Sequence, residues 1–335
     1  MMFYTGKNNL ITDVDGILVG NAQNEKIGTG TTVIIPPEGS TASADVRGGA
    51  PGTREVGALN PYNLVDTVDA IVLSGGSAWG LESASSAANY IGKSGRGFKT
   101  SDNIKNVPMV PAAILFDLNN GGDKDWGDNP PYYNLGIEAT SQAKEEFELG
   151  NAGAGYGSQA GTLKGGLGSA SFQSDSGLKV GGLFAVNSFG SVVNNETGQF
   201  WAACEELNKE YGDRGAPNNL PEDVLSGSKL NNDLAKSNTT IGVIATNVKL
   251  DTRTAKRIAI MAHTGMARAI KPIHSPVDGD VIFVISTNSY DKELSYREIN
   301  EIGELGARVC ARSISRAVYE AKSLFDMPSW KEQYT

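Results

Sequence analysis

The chain has 335 residues, of which 39% are hydrophobic and 20% charged, with a formal charge of −9. That length holds one large domain or two of ordinary size, and the acidic balance without a basic stripe excludes a phosphate-binding surface for nucleic acid. Forty-one glycines point to many tight turns, and with only Cys204 and Cys310 a disulfide framework is not expected.

In chain order, the first segment, MMFYTGKNNLITDVDG, has neither a charged n-region nor an apolar h-region and reads as no signal peptide. Apolar runs suited to buried strands follow at 31–36, 69–76, 112–117, 178–187, 239–247 and 280–287. Helical periodicity is expected around 79–93, 136–149 and 253–270. The last helix is announced by Ser295 and Glu298, an S-x-x-E capping box ahead of the apolar face Ile299, Ile302, Val309, Ile314 and Val318. No apolar run exceeds strand length, so no membrane span is expected and the default location is the cytoplasm. Alternating strands and helices without a repeat indicate mixed α/β layers. The stretch 212–238, with two prolines and few large apolar residues, is the best linker candidate.

That linker ends at Asn238, and Thr239 opens the strand TTIGVIATN. A hydroxyl there could attack the carbonyl of Asn238, cut the chain and leave a threonine whose free α-amine is nucleophile and base in one residue. The plain alternative is a strand opening with Thr-Thr, since threonine favours strands.

Several familiar patterns fail. Gly155–Ala160 fits G-x-G-x-x-A, but what precedes it reads as helix rather than strand, so the dinucleotide setting is missing. Gly92-Lys93-Ser94 resembles the end of a phosphate loop, yet Ala87 stands where the first glycine belongs. Asn195-Glu196-Thr197 is a sequon in a chain without a recognisable secretion signal. His263 and His274 are the only histidines and read as structural or surface residues. No C-x-x-C or H-E-x-x-H spacing exists, so neither metal nor cofactor is expected. Asp278-Gly279-Asp280 lies between a helix and a strand, so it is either an ordinary turn or a carboxylate pair facing a cleft. Lys164 sits among small residues in GTLKGGLGSAS, where its ammonium could be partly buried. Asn187 closes the strand GLFAVN.

Together these segments resemble the DmpA-type family of L-aminopeptidase/D-amidase/esterases, which includes β-aminopeptidases and nylon-oligomer hydrolases. The matching stretches are ITDVDGILVGNA, ADVRGGAPGTRE, VLSGGSAWGLES, VPAAILFDL, GNAGAGYGSQAGTLKGGLGSAS, AVNSFGSVV and NTTIGVIATN, in order over nearly the whole chain. The resemblance implies an N-terminal-nucleophile (Ntn) hydrolase with a four-layer α/β/β/α sandwich. It also implies cleavage between Asn238 and Thr239 into an α chain of residues 1–238 and a β chain of 239–335. Thr239 then matches the nucleophile, Lys164 a lysine near it, Asn187 an oxyanion-stabilising asparagine, and Asp278 and Asp280 the pair that orients the new α-amine. Asp-Gly-Asp is the form similar to the nylon-oligomer hydrolases, whereas the aminopeptidases carry Ser-x-Glu. Phe116 in ILFDL stands where relatives commonly have a substrate-facing tyrosine.

The implied activity is amide hydrolysis of short peptides through an acyl-enzyme. Endo-cleavage of 6-aminohexanoate oligomers, or acyl transfer of the ornithine acetyltransferase type, are the alternatives. Relatives suggest a homotetramer of αβ units, for which Phe200, Trp201, Trp126, Tyr132 and Tyr133 are either interface anchors or part of the domain's own core.

Overall fold

The computed structural model describes residues 2–229, 238–290 and 292–335. Along the chain the strands are β1 (Phe3–Tyr4), β2 (Leu18–Asn24), β3 (Thr29–Ile35), β4 (Thr41–Val46), β5 (Gly52–Arg54), β6 (Ile71–Ser74) and β7 (Ala112–Ile114). They continue with β8 (Gln159–Ala160), β9 (Leu163–Lys164), β10 (Gly166–Ser174), β11 (Lys179–Asn187), β12 (Thr239–Val248) and β13 (Val281–Tyr290). The α-helices are α1 (Glu82–Lys93), α2 (Tyr132–Ser141), α3 (Thr252–Ala269), α4 (Tyr296–Tyr319) and α5 (Trp330–Tyr334).

Among the described residues, one large sheet runs β1-β10-β11-β12-β13-β4, a second β2-β3-β6-β7-β5, and β8 and β9 form a separate two-stranded sheet. Side chains alternate across each strand, and three apolar layers follow from that period of two. Ile241 and Val243 of β12, with Phe283 of β13, meet Ile71 and Leu73 of β6 between the sheets. Phe184, Ile244, Ile282 and Val284 on the opposite face pack against Ile258 and Met266 of α3 and Val309 and Ile314 of α4. Val33 and Val72 turn outward from the second sheet onto Ala84 of α1 and Leu135 of α2. The result is the α/β/β/α sandwich. Each fully buried Ile or Phe contributes about 1.5–3 kcal/mol, so these layers dominate the fold's stability. Gly242 is required where it stands: a Cβ there would lie 2.2 Å from the Phe184 ring.

The helix ends follow the expected chemistry. Ser295 and Glu298 form the capping box of α4, and the Asp251 side chain caps α3 by accepting from Thr254 N–H at 2.7 Å. The expected helix at 136–149 is displaced. It starts at Tyr132 behind Pro131, whose fixed φ suits a helix start, and ends at Ser141. Lys144 then exchanges two backbone hydrogen bonds with Val19, so pairing with β2 overrides local helical preference. The segment before Gly155 is therefore a bridge and loop, and it is still no strand leading into the glycines. Phe200 and Tyr132 are core residues of this chain, 2% and 0% exposed, so they are unavailable as interface anchors. Residues 212–229 carry no helix or strand, and 230–237, the rest of the expected linker before Asn238, lie outside the described residues. No described helix is long and apolar enough to cross a membrane.

Candidate active site

At one end of the sandwich four chain segments converge: the head of β12, the end of β11, the start of β13 and the loop after β7. Two registers set this up. The antiparallel pairing of β11 and β12 puts Asn187 opposite Thr239, and the parallel pairing of β12 and β13 aligns Ile241 with Val281. The turn Asp278-Gly279-Asp280 therefore lies beside Asn238 and Thr239, and Asn238 and Asp278 form a parallel bridge.

Thr239 is 4% exposed, and its hydroxyl donates to the carbonyl oxygen of Asn238. The same carbonyl accepts the Gly279 N–H at 3.2 Å. A Cβ on Gly279 would sit 2.7 Å from Thr239 Oγ1, so glycine is needed for the turn to approach the threonine this closely.

The two carboxylates are fully buried. Asp278 accepts from the Ser275 hydroxyl at 2.6 Å, from Ser275 N–H at 3.0 Å and from Phe189 N–H at 3.3 Å. Burial and then the neighbouring charge of Asp280 raise its pKa, and those hydrogen bonds oppose the rise. Asp280 accepts Thr240 N–H at 2.8 Å with one oxygen and His274 with the other. The turn therefore holds two buried carboxylates beside the head of β12, each with its own set of donors.

Asn187 is held from several sides. Its Oδ1 accepts from Gln159 N–H at 2.9 Å, Asn120 Nδ2 at 3.0 Å and Lys229 Nζ at 3.2 Å, while its Nδ2 donates to the Phe116 carbonyl at 2.8 Å. Three donors on one oxygen fix which end of the amide is which, so that Nδ2 is the donor end. Lys229 Nζ also reaches the Asn187 carbonyl at 3.2 Å. Burial lowers the Lys229 pKa to about 7 against the opposing charge of Asp278.

Lys164 is fully buried, as its small neighbours suggest, and donates to the carbonyls of Gly155 at 3.0 Å and Gly165 at 2.7 Å. It pairs across β8 and β9 with Gln159, the residue whose N–H holds Asn187. Burial lowers its pKa to about 7, opposed by the charge of Asp117. Asp117 is itself buried, accepts from Thr29 Oγ1 at 2.6 Å and Gly76 N–H at 2.8 Å, and has its pKa raised, chiefly by burial.

The structure thus gathers Asn238, Thr239, Asn187, Asp278 and Asp280 directly. Lys164 joins them through Gln159, and Phe116 through its backbone carbonyl. The sequence alone does not reveal Asn120, Lys229, Asp117 or His274. Asp117 ends the strand-like run 112–117 and Asn120 lies just beyond it, where loop ligands gather in layered folds, and that position is the one signal they offered. Lys229 closes a polar linker and offered none. Among the described residues no group of three or more His, Cys, Asp or Glu is placed to hold a metal ion.

A model of peptidase family S58 matches residues 9–328. The chain belongs to peptidase family S58. It is 37% identical over 348 aligned positions, covering 97% of this chain and 98% of the other, to an uncharacterized aminopeptidase of Mycobacterium tuberculosis. It is 28% identical to a 6-aminohexanoate-oligomer endohydrolase of a Kocuria species, covering 86% of this chain and 77% of that protein. The L-aminopeptidase D-Ala-esterase/amidase of Ochrobactrum anthropi, described as a variant of the Ntn hydrolase fold, superposes with a TM-score of 0.70 at 19% identity. That superposition spans 98% of this chain and 90% of the other. At that identity the likeness carries the fold, and the family match carries the reaction class: hydrolysis of peptide or amide bonds.

Proposed function

We propose that this S58 member is a self-processing amidohydrolase whose nucleophile is Thr239, acting on short peptides or peptide-like amides with a free amino terminus. The observation that carries the reading is the Asn238–Thr239 junction. Its hydroxyl lies against the carbonyl it would attack, and the Gly279 N–H is aimed at that carbonyl's oxygen. Attack by Oγ1 on the Asn238 carbonyl carbon gives a tetrahedral oxyanion that the Gly279 N–H stabilises. Expulsion of the Thr239 nitrogen, which takes up the proton lost by Oγ1, leaves an ester and the new α-amine, and water then hydrolyses the ester to free the α chain's carboxylate.

A free α-amine has a reference pKa of about 7.8, so the amine that cutting frees at Thr239 can serve as the base that takes the hydroxyl proton. Attack on a substrate carbonyl releases the amine product and leaves an acyl-enzyme, which water activated by the same amine hydrolyses. The position of Asn187, opposite Thr239 in the sheet, supports an oxyanion role for its amide. A removed donor of this kind costs about 3 kcal/mol.

A second reading is endo-hydrolysis of 6-aminohexanoate oligomers. It is favoured by the buried Asp278-Gly279-Asp280 turn and by relatives that carry that activity in their names. Aminoacyl p-nitroanilides set beside a linear 6-aminohexanoate oligomer separate the two, and added ornithine exposes any acyl transfer as a new amide product.

The decisive experiment is denaturing electrophoresis of native protein and Thr239→Ala. Native protein yields fragments of about 25 and about 10 kDa, in proportion to chain length, the smaller beginning Thr-Thr-Ile-Gly. Thr239→Ala stays a single inactive band. Efficient cutting or turnover by that variant removes Thr239 from the mechanism.

A further inference from the structure

His263 and His274, the chain's two histidines, meet beside the carboxylate nearest the strand head, their rings 5.0 Å apart and edge to face. His274 Nδ1 is 2.7 Å and its backbone N–H 3.2 Å from Asp280 Oδ2. The other oxygen of Asp280 receives Thr240 N–H at 2.8 Å, one residue from Thr239. A fully buried carboxylate must have its lone pairs met by donors, and two of these three donors come from one residue. A carboxylate oxygen only accepts, which puts the His274 proton on Nδ1.

We propose that His274 is a positioning residue for the active site, its ring N–H fixing the Asp280 carboxylate against the head of β12. This rests on the reading of Thr239 as nucleophile and Asp280 as part of its setting. The surroundings suit the role. His274 sits at φ +57°, the left-handed region that His, Asn and Gly tolerate, so the backbone presents both of its donors to one oxygen. Behind it His263 is buried, with Nε2 3.1 Å from the Asp45 carbonyl. Burial lowers its pKa to about 4, so it packs against His274 as a neutral ring. The nearby Asp45 carboxylate is occupied by Lys256 at 2.8 Å and Arg47 at 2.5 Å, leaving His274 committed to Asp280. An imidazole that only filled space would need no acceptor at 2.7 Å. Here the ring is the link between a buried charge and the position of the strand head.

The test compares His274→Asn with His274→Gly. Both tolerate positive φ and keep the backbone N–H, but only asparagine puts a donor where Nδ1 stood. Three quantities are read: the first-order rate of self-cutting, and kcat and KM of the cut form, with circular dichroism confirming the fold. Expected is a fall of at least roughly 10-fold in cutting rate and kcat for His274→Gly, with KM within about 3-fold, and near-native values for His274→Asn. Native rates in His274→Gly, or an equal loss in a folded His274→Asn, overturn the proposal. Should His274→Gly fail to fold, the rate of His274→Asn alone decides. If Thr239→Ala still cuts, the underlying reading fails. If Thr239→Ala is inert while His274→Gly is normal, only the role of His274 falls.

Discussion

Asn187 and Thr239 are register partners across β11 and β12, so the amide and the hydroxyl are placed by sheet hydrogen bonding rather than by a loop. Directly opposed residues in an antiparallel pair lie about 4.5–5.5 Å apart at Cα, close enough for both side chains to address one carbonyl group. Removing the amide should show this. Asn187→Ala should lower kcat by roughly 10²-fold or more, with little change in KM, as for a lost oxyanion donor. Asn120→Ala, which removes one of three donors to Asn187 Oδ1, should cost less, and the double variant should be no worse than Asn187→Ala alone. Additive losses in a steady-state assay would mean that Asn120 acts independently of Asn187.

Gly279 carries the second prediction. A methyl group on it would stand 2.7 Å from Thr239 Oγ1 and 2.9 Å from the Ala50 carbonyl oxygen, closer than real Cβ atoms come. Gly279→Ala must push the turn off the strand head, lengthening the N–H contact to Asn238 as it does so. Self-cutting followed on gels should slow by at least about 10-fold. A variant that is processed at the native rate would remove the turn from the cleavage step.

How much of this was legible beforehand depended on whether a residue's role is local. The head of β12, the apolar strands at 178–187 and 280–287, and the Ser295 box are local patterns, and they emerge where the sequence puts them. β10, written GLGSASFQS, has almost no apolar alternation. It is a strand because its glycines let α4 lie close: a Cβ on Gly168 would meet the Ser313 carbonyl at 1.9 Å. No strand signal marks such a segment, since packing rather than propensity makes it. The site divides in the same way. Thr239 opens β12 and Asp278-Gly279-Asp280 precedes β13, positions that a plain strand opening and an ordinary turn also fit, and the family resemblance is what singles them out. Lys229, Asn120 and His274 gain their meaning only when the fold brings them to Asn187 and Asp280 from other parts of the chain.

If the chain is cut before Thr239, what holds the pieces together becomes a question of burial, and Arg312 answers part of it. It is fully buried, pairs with Glu210 at 2.5 Å, and donates to the Ser171 carbonyl at 3.0 Å and Asn9 Oδ1 at 2.8 Å. All three partners precede the cut and Arg312 follows it, so this cluster spans the two fragments. Breaking one side of a buried pair costs about 3–5 kcal/mol because the other charge is left uncompensated. Glu210→Ala should therefore lower the melting temperature sharply, and Glu210→Leu with Arg312→Met should recover much of the loss. Because the pair is buried, salt should change little. An unchanged melting temperature for Glu210→Ala would leave apolar packing alone as the glue.

Lys164 makes the last prediction, and its sign can be worked out. Burial holds its folded-state pKa at about 7, below the ordinary lysine value of 10.5. Between those values the unfolded chain binds a proton that the folded chain does not, so stability must rise as pH climbs from about 7 toward about 10.5. Below about 7 both states are charged, and the full cost of burying the ammonium is present. Lys164→Met abolishes this term. The melting temperature of the native protein relative to Lys164→Met should therefore increase with pH over that window, and a constant difference would mean the lysine is not buried as charged. Activity supplies the second arm. On the proposed mechanism a charged Lys164 would lower the pKa of the α-amine that cutting frees at Thr239, so Lys164→Met should shift the acidic limb of the pH–rate profile to higher pH. It should also lower kcat by about 10²-fold. A profile unchanged in shape and height would reduce Lys164 to a packing residue, its two carbonyl contacts its whole purpose.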